Sequence, residues 1–61
     1  MNQKELKTEL AVWEALTQEW TFLAKFAEKR NDTSTMLRRV GEANKYAKLA
    51  LDIQAQINNW K

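Results

Sequence analysis

Apolar residues recur along the first half of the chain at alternating intervals of four and three. Leu6, Leu10, Trp13, Thr17, Trp20, Ala24 and Ala27 fall on one line when successive residues are turned by about 100°. That is the seam by which an amphipathic helix joins a bundle. A second line with the same alternation, Val12, Ala15, Glu19, Phe22 and Phe26, runs along an adjacent face, and Leu16 and Leu23 lie between the two. One neighbouring helix covers one stripe, so this segment is apolar over more of its circumference than a single partner shelters.

The second half repeats the situation. Met36, Val40, Ala43, Ala47, Ala50, Gln54 and Ile57 form a seam rich in small residues, where another helix can approach closely, and Tyr46, Leu49, Ile53 and Trp60 form a second apolar line. Between the halves stands the one cluster of turn-favouring residues, Asn31-Asp32-Thr33-Ser34-Thr35. Asn31 tolerates the left-handed conformation that ends helices, Lys29 and Arg30 suit a helix C-terminus, and Asp32, Thr33 or Ser34 can cap the helix that follows. A loop this short between long helices dictates an antiparallel hairpin. The expected fold is all-α, a single helical-hairpin domain over residues 1–61, with helices at roughly 3–30 and 34–59 and a loop at about 31–34. Gly41, the only glycine, lies inside the second helix, where solvent exposure or a close helix contact explains it better than a hinge.

Size changes this picture. A chain of 61 residues buries only about 60% of the surface that it exposes when unfolded, so its core needs reinforcement. Disulfides and zinc-type sites are excluded, because the chain has no Cys and no His. Association remains, and a dimer of hairpins closing a four-helix bundle is the simplest solution. The residues expected to meet a second copy or another protein are Val12, Trp13, Glu19, Trp20, Phe22, Phe26, Tyr46, Leu49, Ile53 and Trp60. Trp13 and Trp20, one heptad apart on the seam, read as core rather than as platforms for stacked bases. Trp60 is expected to close the bundle against the Leu6 end, or else to anchor a partner. Glu19 interrupts an apolar line, where a carboxylate is costly without a cation. Paired with Arg38, Arg39 or Lys45, it would fix register and partner choice.

Charge and chemistry narrow the function. No nucleophile stands beside a base, no Gly-rich phosphate loop occurs, and Glu5 and Glu9 have neither a His nor a third carboxylate on their face, so no enzyme, metal or cofactor is expected. The start of the chain lacks the apolar run of a secretory signal, and no stretch approaches a membrane span, so a soluble, cytoplasmic protein with no membrane partner is expected.

The net charge is +2, and its excess lies wholly in residues 31–61. Lys29, Arg30, Arg38, Arg39, Lys45 and Lys48, with the hydroxyls of Thr33, Ser34 and Thr35 beside a helix start, make a candidate anion or phosphate contact. The reading that follows is a small non-enzymatic oligomeric protein acting by protein–protein interaction. It would serve as a regulator, inhibitor or adaptor, as small phage- or plasmid-type regulators do. The alternative is a dimer that binds nucleic acid, a nucleotide or phosphate. In length and two-helix pattern the chain looks like the plasmid RNA-binding helical hairpins that dimerise into four-helix bundles. That likeness attaches no role to any residue.

Overall fold

The computed structural model describes residues 2–60, which form two helices and a tight turn. Helix α1 spans Gln3–Lys29 and helix α2 spans Thr33–Asn58. Both are within a residue of the boundaries that the periodicity and the turn cluster predict. The helices lie side by side in a rod of 48 × 13 × 13 Å, a helical hairpin.

Each helix end is closed by an identifiable residue. The Asn2 side chain accepts a hydrogen bond from the Glu5 N–H at 2.8 Å, which satisfies a free donor at the start of α1. At the other end Asn31 adopts φ 58°, the left-handed conformation. This lets the Asn31 N–H donate to the Glu28 carbonyl and the Asp32 N–H reach back to the Ala27 carbonyl, both at 3.0 Å. The pair of bonds is a Schellman motif. Asp32 then caps α2 by accepting from the Thr35 N–H at 3.2 Å. Of the three capping candidates, the one with a charged carboxylate at the positive end of the helix takes the position.

The core is thin. Leu6, Ala24, Ala27, Ala43 and Ile53 are the buried apolar residues, and three of the five are alanines that let the helices approach closely. On α1 the contact stripe is the predicted one, with Leu10, Trp13, Thr17 and Trp20 half-buried between Leu6 and Ala24. On α2 the stripe differs from expectation. It is centred between the two predicted lines and takes Ala43 from one and Ile53 from the other, with Met36, Arg39, Tyr46, Ala50 and Ile57 half-buried in the same three-and-four alternation.

Arg39 explains the shift. Its Nη1 donates to the Leu23 carbonyl across the interface at 3.0 Å, so a guanidinium occupies a seam position with its polar end satisfied. The other polar seam residues are satisfied within their own helices: Thr17 donates its hydroxyl to the Trp13 carbonyl at 2.8 Å, and Gln54 donates to the Asn58 side chain at 3.0 Å. Gly41 faces open space, with nothing within 4 Å of where a Cβ would stand.

Candidate functional site

Apart from Trp60, the large apolar side chains that the hairpin leaves in water among the described residues fall on two helical seams. The first is the predicted outer line of α1, where Val12, Ala15, Glu19, Phe22 and Phe26 are all exposed, Phe22 by 69%. Glu19 stands at its centre. Its neighbours one turn away, Ala15, Leu16, Phe22 and Leu23, are all apolar, so no cation on its own helix is placed to pair with it. Of the cations expected to meet it, Arg39 is bound to the Leu23 carbonyl and Lys45 lies over the Tyr46 ring at 5.8 Å. Arg38 lines a shallow groove with Trp20, Leu23, Arg39 and Glu42.

The second seam was not among the predicted lines. Leu37, Val40, Asn44, Ala47 and Leu51 follow one another on α2 at intervals of three, four, three and four. Leu37 is 61% exposed and Leu51 68%, Val40 and Asn44 are exposed, and Ala47 is half-buried. The seam borders a groove between the helices. Ala47 and Leu51 line one stretch of it with Glu14 and Gln18 of α1, and Val40 and Asn44 line another with Thr21 and Lys25. The alternation in spacing was a signal available in the sequence. It was hidden by the abundance of alanine, which lets several faces of α2 pass for a seam.

The remaining interface candidates lie nearer the hairpin's own contact. Trp13 stacks on Tyr46 with ring centroids 5.7 Å apart and planes 13° from parallel, and its indole N–H donates to Glu9 Oε1 at 3.3 Å. Glu9 thereby serves as an indole acceptor. Trp20 and Leu49 are half-buried, and Ile53 is inside the hairpin at 8% exposure. Trp60, expected at the open end over Leu6, keeps 46% of its surface in water, while Leu6 is buried.

The candidate anion residues are dispersed. Asp32 occupies the start of α2 with its own carboxylate, on the Thr35 N–H that an external anion would need. Hydrogen bonds to the Thr35 side chain and backbone, helped by the charges of Arg39 and Arg30, hold the Asp32 carboxyl below its ordinary value. Arg30 lies over the Phe26 ring at 5.6 Å. Lys29, Thr33 and Ser34 are exposed and Thr35 is half-buried. Arg38, Lys45 and Lys48 share an exposed line on α2 with Gly41.

Among the described residues no group of three or more His, Cys, Asp or Glu is placed to hold a metal ion, and no helix is long and apolar enough to cross a membrane. The fold and surface together define a helical hairpin with two exposed apolar seams. No family model, no curated protein and no solved structure matches the chain.

Proposed function

We propose that this chain is a small non-enzymatic interaction protein, a helical hairpin that assembles with itself and docks on a larger protein to regulate, inhibit or recruit it. The observation that carries this reading is the inverted distribution of bulk: the buried positions are mostly alanine, while Phe22, Phe26, Leu37 and Leu51 stand in water. The accessible surface of 4807 Å² exceeds the roughly 4,100 Å² that the area–mass relation gives for a compact monomer of this size. Exposed apolar seams of this kind mark association surfaces. Native mass measured across a concentration series is the test. Assembly that grows with concentration is expected, whereas a folded monomer at every concentration, binding no partner, removes the reading.

Binding of nucleic acid or phosphate is the second reading, and the exposed line of Arg38, Lys45 and Lys48 is the feature that favours it. Its weakness is that Asp32, the Leu23 carbonyl and the Phe26 ring already engage the Thr35 N–H, Arg39 and Arg30, and that Lys45, within the line itself, lies over the Tyr46 ring. Salt-sensitive retention on heparin, lost when Arg38, Lys45 and Lys48 become alanine, is the outcome that would put it ahead.

A further inference from the structure

The two exposed seams have the same spacing, and what separates them is the residue at the centre of each. The α2 seam reads nearly the same in both directions: Leu37 and Leu51 at the ends, Val40 and Ala47 inside them, and Asn44 in the middle. A two-fold axis at its centre, where residue i meets residue j while j meets i, therefore sets apolar residues against apolar ones and amide against amide.

The chemistry of the centre agrees. The Asn44 side chain carries both an acceptor oxygen and a donor NH2, so two copies brought together at a two-fold axis can each donate to the other. The α1 seam has Glu19 in that place, and two ionised carboxylates there repel with no donor between them.

We infer that a second copy of this chain covers the α2 seam, running antiparallel to the first, with Leu37 against the partner copy's Leu51, Val40 against its Ala47, and the two Asn44 side chains paired at the axis. A central amide that fixes register among apolar neighbours is a known device of paired helices. The contact is about 21 Å long at 1.5 Å per residue, and it leaves the α1 seam free. This inference rests on the self-association proposed above and says which face performs it.

The test uses the full chain, with helicity followed by circular dichroism and mass by sedimentation equilibrium. Asn44 is exposed, so Asn44→Lys and Asn44→Glu should each stay folded while the dimer weakens roughly ten-fold or more from like charges at the axis, and an equimolar mixture of the two should recover it. Chains carrying Leu37→Lys and Leu51→Glu, whose altered residues meet only in antiparallel pairing, should form the mixed dimer in preference to either homodimer. If wild type dimerises and the Asn44 variants dimerise equally well, this face is the wrong one and self-association through another stands. A wild type that stays monomeric throughout overturns both readings. A mixture of Asn44→Lys and Asn44→Glu that fails to recover the dimer overturns the placement of Asn44 at the axis.

Discussion

The outer seam of α1 and the exposed seam of α2 are built to one plan, five positions at intervals of three and four with a polar residue at the third, yet they suit different neighbours. At the centre of one is a neutral amide, which can satisfy a copy of itself; at the centre of the other is a carboxylate, which cannot. The difference teaches that exposed apolar area does not by itself name its occupant. The flanking phenylalanines of α1 offer more surface than the leucines of α2, but with Glu19 among them a good partner must bring a cation or a hydrogen-bond donor.

The comparison can be broken most severely through the frame that the seams share. Ile53 is the one large aliphatic that α2 buries, and Ile53→Ala should cost about 2–5 kcal/mol. A chain of this size has little stability to lose, so the thermal transition should fall steeply and both seams should lose their alignment together. Phe22→Ala removes a bulkier but exposed side chain and should shift the same transition by no more than about 0.5 kcal/mol in dilute solution. Equal effects from the two variants would contradict the assignment of inner and outer faces.

The next largest effect tests the centre of the α1 seam. Glu19→Leu should leave helicity intact and raise the mass seen in sedimentation, because the seam then lacks the charge that bars self-pairing. An unchanged profile would mean that the carboxylate does not govern what this face accepts.

Gly41→Ala sharpens the contrast from the α2 side. The added methyl meets open space, so the substitution should stabilise α2 by about 1 kcal/mol through helix propensity alone. The melting temperature should rise with no change in sedimentation; an altered dimer would show that the seam extends to this edge.

The smallest effect concerns the end of α2 nearest Leu37. Asp32 has its folded-state pKa lowered, so its stabilisation is present above the unfolded value of about 3.9 and is lost as pH falls through the lower folded value. Acid titration of the wild type should lose this contribution over that interval, and Asp32→Asn, a cap without a titrating group, should not. Identical acid limbs for the two proteins would exclude Asp32 as a source.

How much of this was legible beforehand follows from the side chains concerned. The inner stripe of α1 is marked by two leucines and two tryptophans that no other line could accommodate, and the turn is marked by Asn31 and Asp32, whose conformational and capping preferences are strong; both were readable. On α2 the signal is weaker. Alanines at 43, 47, 50 and 55 are compatible with several faces, and the true stripe passes through Arg39, a residue that an apolar count rejects. Only the cross-helix bond to the Leu23 carbonyl reveals why a guanidinium belongs there. With the stripe read one position aside, Leu37 and Leu51 belonged to no line.

The reversal of the chain at Asn31 depends on one backbone angle of unusual sign. Were that residue and Asp32, whose ψ of 77° is also far from helical, both to turn helical, the two segments would join into a single rod of about 85 Å at 1.5 Å per residue, and the stripes that now face each other would point away into solvent. The bent molecule and the straight one are thus separated by rotations at two neighbouring residues, Asn31 and Asp32. The grip of the Ala27 and Glu28 carbonyls on the two amides after Arg30 is what holds the fold on the bent side.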